Sequence, residues 1–176
     1  TSDLPCFEAL KRNKKTDILI IGGGLAGILC AYMLQQAGAN YILVEADRIC
    51  SGITKNTTAK ITSQHGFIFD KLIRKFGLDS ARLYLQANEK ALSQYRKLCK
   101  NIDCDFEEQD NYVYSLDDKK KVNRELAALG RIGFPVQAVD SLPLPFAIAG
   151  AVKFPKQAQF HPLKFVSGIA KGLSIY

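Results

Sequence analysis

Three glycines, Gly22, Gly24 and Gly27, and one acid, Glu45, have types and spacing that can do chemistry together. A glycine at the first position turns the chain sharply. One at the second leaves room for an anion against the backbone, and one at the third lets a helix pack closely on a strand. The helix that follows aims free N–H groups and its positive dipole end at that anion. An acid at the end of the next strand accepts hydrogen bonds from ribose hydroxyls. The pattern reads as a dinucleotide-binding fingerprint, with Leu25 and Ala26 in the first helical turn beside the pyrophosphate. Glu45 repels a 2′-phosphate, which disfavours NADP.

The elements around these residues agree with that reading. Residues 17–21 are a short β-branched apolar run, expected as a parallel strand buried on both faces. Leu25, Ile28, Leu29, Tyr32, Met33 and Leu34 recur at helical spacing and predict a buried face, with Cys30 as a small buried residue and Gly38 as the stop. Residues 41–44 predict a second strand, which sets Glu45 and Ala46 at its C-terminal end. A lone glycine pattern is weak; strand, turn, helix, strand and acid in this order are specific. The fingerprint by itself leaves open an NAD-dependent dehydrogenase and a non-catalytic dinucleotide-binding module.

Residues 46–66 form a long polar segment containing Thr54, Thr57, Thr58 and Thr62 with Lys55 and Lys60. Such hydroxyls and amines suit phosphate, ribityl and flavin-ring contacts, and equally a plain surface loop. Residues 67–100 predict two helices broken near Gly77. Residues 104–109 and 111–116 suggest a hairpin around Asp110 and Asn111. A helix capped by Asp117 and Asp118 should run to about Ile132 and end at Gly133. Short strands are expected at 136–139 and 150–154, and a last helix at Pro162 with His161 as its cap. His65 closes the polar segment and is either a structural histidine or a neighbour of the ligand.

The chain has 176 residues and a net charge of +7, much of it in two lysine-rich clusters at 11–15 and 119–121. Neither cluster is interleaved with aromatic residues, so solvated faces fit better than a nucleic-acid patch. The five cysteines are scattered and odd in number, as for reduced thiols of a cytoplasmic protein. With only two histidines and no C-x-x-C pair, no metal site is expected within these residues. No apolar run is long enough to span a bilayer. The sequence begins without methionine and stops as a new apolar strand begins at 173–176, which suggests a piece of a longer polypeptide.

Glu45-Ala46-Asp47-Arg48, then Gly52-Ile53-Thr54, then the Thr57 to Gly66 stretch resemble FAD-dependent oxidoreductases of the D-amino acid oxidase and glycine oxidase superfamily. They are most similar to a bacterial subgroup with a C-terminal Rieske [2Fe-2S] domain. The first seven residues and the stretch from Phe154 and Pro155 to His161 and Pro162 resemble that subgroup too. The resemblance implies an α/β fold: a Rossmann-like FAD/NAD(P)-binding domain with part of an antiparallel α+β substrate domain. It divides the chain into 1–103 and 151–176 for FAD and 104–150 for substrate. It implies that Gly22, Gly24 and Gly27 hold the FAD pyrophosphate and Glu45 the ribose. Arg48, Gly52 and Thr54 would lie over the adenosine and diphosphate, and Thr57, Thr58 and Lys60 along the pyrophosphate, ribityl chain and flavin ring. Lys60 is the candidate cation near flavin N1. The implied substrate is an amine or amino-acid-like small molecule, oxidised by hydride transfer to flavin N5. A strand contacting adenine, the residues that face substrate and any iron–sulfur ligands would fall beyond Tyr176.

Overall fold

A computed structural model describes residues 4–176; the resemblance at residues 1–3 lies outside the described part. In chain order the elements are β1 (Ile18–Ile21), α1 (Leu25–Gln36), β2 (Tyr41–Val44), a 3₁₀ turn (Ile53–Asn56), β3 (Lys60–Ile61), α2 (Phe69–Cys99), β4 (Glu107–Ser115), α3 (Lys119–Ile132), β5 (Gln137–Val139), β6 (Gly150–Gln159) and α4 (Pro162–Ala170). They group into two compact units. The first takes residues up to Lys60 with Cys99–Phe106 and Phe160–Tyr176; the second takes Ile61–Leu98 and Glu107–Gln159.

In the first unit β1 and β2 are parallel, with Ile18 opposite Tyr41 and Ile21 opposite Val44. A third segment lies on the far side of β2. Leu43 N donates to Ser174 O and Tyr176 N to Leu43 O, each at 2.9 Å, and Glu45 N donates to Tyr176 O at 2.9 Å. The apolar run at 173–176, expected to begin a strand, pairs here with β2 through a parallel bridge between Leu43 and Ile175. Helix α4 packs on α1, and Ile28, Leu43, Phe165, Val166 and Ile175 are buried.

Two expectations about burial need correction. Among the described residues β1 pairs with β2 alone, and Leu19 and Ile21, which share one face of it, are 56% and 81% exposed, so that face is uncovered rather than buried. In α1 only Ile28 and Ala31 are buried; Met33 is 54% exposed and Cys30 is exposed. Nearly every residue of this helix is apolar, so spacing could not select the face.

The second unit is an antiparallel sheet in the order β3-β6-β4, with β5 also paired to β6. The expected hairpin around Asp110 is replaced by one continuous strand, β4, running from Glu107 opposite Gln159 to Ser115 opposite Gly150. Asp110 marks a register shift in it. Its carboxylate takes Lys153 Nζ at 2.6 Å and the Lys156 N–H at 3.2 Å, which pins a bulge. Strand β6 accordingly runs five residues past the expected end.

Helix α2 is interrupted at Gly77, whose φ of 84° and ψ of 166° are open to glycine alone. Asp118 caps α3 through the Lys121 N–H at 2.8 Å. Phe69 stacks on Phe154 at 6.2 Å in a core with Ile73, Leu85, Val122 and Leu129. Glu125, 1% exposed, accepts the N–H groups of Ile68, Phe69 and Asp70 at 2.9, 2.9 and 3.0 Å. Burial pushes its carboxyl pKa up while these three donors pull it down.

Candidate functional site

Gly22 leaves β1 with φ 106°, a conformation that L side chains avoid, and its N–H still pairs with Val44 O at 2.8 Å. Gly23 N donates to Glu45 Oε2 at 2.6 Å, and Asp47 N donates to Oε1 at 3.2 Å. The Gly23 bond above all holds the Glu45 carboxyl below the usual glutamate range, so it is ionised and acceptor-only. Each of its oxygens keeps lone-pair capacity for a ribose hydroxyl.

The glycines differ in what a side chain would meet. A Cβ on Gly27 would sit 2.0 Å from Gly22 O, so helix and turn touch here. A Cβ on Gly24 would meet Thr54 Oγ1 at 3.4 Å, ordinary contact. Apart from its chain neighbours, no other heavy atom of the described residues lies within 4 Å of that position. Leu25 N donates to Thr54 Oγ1 at 3.2 Å, and the first intrahelical bond comes from Ile28 N to Gly24 O at 3.0 Å. The N–H groups of Ala26 and Gly27 belong to the set a helix leaves without an internal carbonyl. The 3₁₀ turn with Gly52 at its N-cap carries Thr54 to this helix end.

Other proposed residues are distributed less tightly. Ala46 and Arg48 are exposed just past β2. Thr57, Thr58 and Lys60 are exposed on the run into β3. Thr57 Oγ1 accepts the Ala59 N–H at 3.4 Å, and no hydrogen bond among the described residues joins these three to the glycine turn. His65 is exposed and its Nδ1 lies 2.8 Å from Tyr84 Oη. His161 caps α4, accepting from Lys164 N at 3.4 Å.

Some neighbours of the turn were not singled out from the sequence. Cys50 N donates to Gly23 O at 3.0 Å, and Ile49 Cγ2 lies 2.8 Å from where a Gly23 Cβ would be. The Cys50 thiol is buried and its pKa is pushed up by that burial. Beside Glu45 a cavity of about 260 Å³ is lined by Arg48 and Ile49, by Tyr176 at the chain's end, and by Pro5 and Phe7 from its start. Arg48 and the apolar run at 173–176 were the sequence signals for this wall. No cluster of three or more metal-ligating side chains occurs among the described residues, and none of their helices is long and apolar enough to cross a membrane.

The sequence pattern of a family described as DAO, FAD dependent oxidoreductase, matches residues 17–174. The chain belongs to the DAO family of FAD-dependent oxidoreductases. A Bacillus subtilis (strain 168) protein named as the Rieske 2Fe-2S iron-sulfur protein YhfW is 38% identical over the whole chain, which covers 36% of that relative. The Escherichia coli (strain K12) gamma-glutamylputrescine oxidoreductase is 26% identical over 68% of the chain and 28% of its own length. The chain thus spans about a third of the length of the curated relatives it matches. Among solved structures, glycine oxidase from Geobacillus kaustophilus superposes with a TM-score of 0.72 at 20% identity, over 92% of this chain and 46% of that one. The fold is the mixed α/β fold of these DAO and glycine oxidase proteins.

The donor set fits the family's cofactor. Backbone at Gly24 without a side chain, the first-turn N–H groups of Ala26 and Gly27 and an ionised acceptor at Glu45 match a pyrophosphate followed by a ribose.

Proposed function

We propose that these residues bind the adenosine diphosphate half of FAD in an enzyme that oxidises an amine or amino-acid-like substrate. The observation that carries the reading is the open backbone at Gly24, set between the N-terminus of α1 and the Glu45 carboxylate. The first unit is then the FAD-binding part and the second a portion of the substrate domain.

When bound, FAD supplies the hydride acceptor, at N5, for oxidising a carbon–nitrogen bond. The chain's own residues bind and orient. Ala26 and Gly27 offer their N–H groups to the pyrophosphate beside the bare backbone of Gly24, Gly22 makes the turn that admits it, Leu25 is held there by its N–H bond to Thr54 Oγ1, and the dipole of α1 favours the ligand's charge. Glu45, with Ala46 beside it, takes the ribose hydroxyls. Thr54 and Gly52 border the diphosphate, and Arg48 lies over the adenosine. Thr57, Thr58 and Lys60 extend the contacts toward the ribityl chain and flavin ring, where the Lys60 ammonium offsets negative charge.

The substrate class is supported by the E. coli relative, which is named for a polyamine conjugate, and the glycine oxidase fold is compatible with it. The B. subtilis relative's name supports an iron–sulfur domain outside these residues as the electron acceptor.

The test is cofactor release from the full-length protein, with Gly24→Ala as comparison. Gly24 has φ −77° and ψ 179°, which alanine adopts freely, and its Cβ meets nothing closer than 3.4 Å. The variant should fold as wild type yet lose at least about tenfold in FAD affinity, because the methyl group occupies the anion's space. Wild-type protein that is colourless and refuses added FAD overturns the proposal.

A further inference from the structure

Resting on the FAD reading, we propose that the segment ahead of β1 forms the outer wall of the cofactor's base pocket, with Phe7 as the ring against the adenine. The cavity of about 260 Å³ includes Glu45 in its lining but none of the turn glycines. It therefore extends from the ribose-binding acid away from the pyrophosphate cradle. In a dinucleotide the ribose joins phosphate to base, so the group on this side of Glu45 is the base.

Size and lining agree. The cavity falls below the ~300–1,000 Å³ of drug-sized ligand sites, and suits one end of a dinucleotide rather than the whole. Pro5, Phe7, Ile49 and Ile175 give it apolar walls, while Asp47, Arg48 and Tyr176 give it polar edges. A flat purine with hydrogen-bonding edges takes such a slot, and an aromatic ring stacks on its face.

The segment is also held in place. Lys14 Nζ hydrogen-bonds the Tyr176 hydroxyl and lies 3.9 Å from the centre of that ring. The stretch before β1 is thereby tied to a residue of the same pocket. Nothing in the glycine fingerprint, which starts at residue 17, calls for these residues.

The experiment titrates FAD into full-length apoprotein by flavin fluorescence and measures ADP by displacement, for wild type, Phe7→Leu and Phe7→Tyr. Leucine keeps apolar bulk without a ring; tyrosine keeps the ring. Phe7→Leu should weaken FAD and ADP together by about tenfold, with the unfolding midpoint of the apoprotein unchanged, and Phe7→Tyr should bind as wild type. A Phe7→Leu protein that binds both ligands as wild type does, or that loses FAD but not ADP, overturns the inference and leaves FAD binding in place. A wild-type protein that binds neither ligand overturns the FAD reading, and this inference with it.

Discussion

Glu45 has structural work independent of any ligand: its carboxylate ties the end of β2 to the glycine turn through the Gly23 and Asp47 N–H groups. Those bonds are stronger to the ionised form, and they hold its pKa below the usual glutamate value. The sign follows from linkage. A carboxyl whose folded pKa is depressed contributes stability that is fully present above its unfolded pKa, near 4.3, and is lost as pH falls through the lower folded value. Glu45→Gln keeps the shape and removes the charge. The variant should therefore melt below wild type across pH 5–8, and the gap should close as pH falls below about 4. Melting curves of the apoproteins over this range check it; a gap that persists undiminished at pH 3 means that the ionised carboxylate is not the anchor. Gly24 and Gly27 divide another task at this scale. Substitution at Gly27 collides with the protein's own Gly22 carbonyl, whereas a Cβ at Gly24 meets only Thr54 Oγ1, at 3.4 Å, and would collide only with a ligand bound as proposed.

At the scale of elements, the break in α2 stands on one backbone conformation. Alanine at Gly77 must adopt φ 84° and ψ 166° or straighten the helix and move its packing. Gly77→Ala should cost of order 1–3 kcal/mol in denaturant unfolding, and an equally stable variant shows that the break relaxes freely. This break was legible in the sequence because the signal is local: one glycine between two amphipathic runs. The caps of α3 and α4 were legible for the same reason, since Asp118 and His161 accept from N–H groups three residues away. The bulge at Asp110 was not. Asp-Asn reads as a turn, and what makes it a bulge is the partnership with Lys153 and Lys156 more than forty residues on. Neither were the buried faces of β1 and α1 legible, because uniformly apolar runs carry no period. The candidate site divides in the same way. The glycine turn, Glu45 and Thr54 sit on consecutive elements and converge. The place of Pro5 and Phe7 depends on Ile175 and Tyr176, at the other end of the chain, and no pattern in residues 4–14 announces it.

At the scale of the whole molecule, the first unit is assembled from three separate stretches of chain, with the second unit's residues inserted between them. Beside β2 its parallel sheet is extended by Ser174 to Tyr176. A ligand that binds only the folded form stabilises every stretch that must be in place to bind it. If FAD lies where proposed, its effect should reach residues far apart in sequence but joined in this unit. Hydrogen exchange of the full-length protein with and without FAD checks this. The expected result is slowed exchange at the Gly23 to Gly27 amides, at Glu45 to Thr54, and at Leu43 and Tyr176, whose N–H groups hold the added strand. These amides are bonded within the first unit or face its ligand, so their opening must compete with binding. Protection confined to β4 and β6 places the cofactor in the second unit and refutes the assignment. Protection at the glycine turn without any change at Tyr176 separates the pyrophosphate site from the C-terminal strand, and removes the support for a base pocket walled by both ends of the chain.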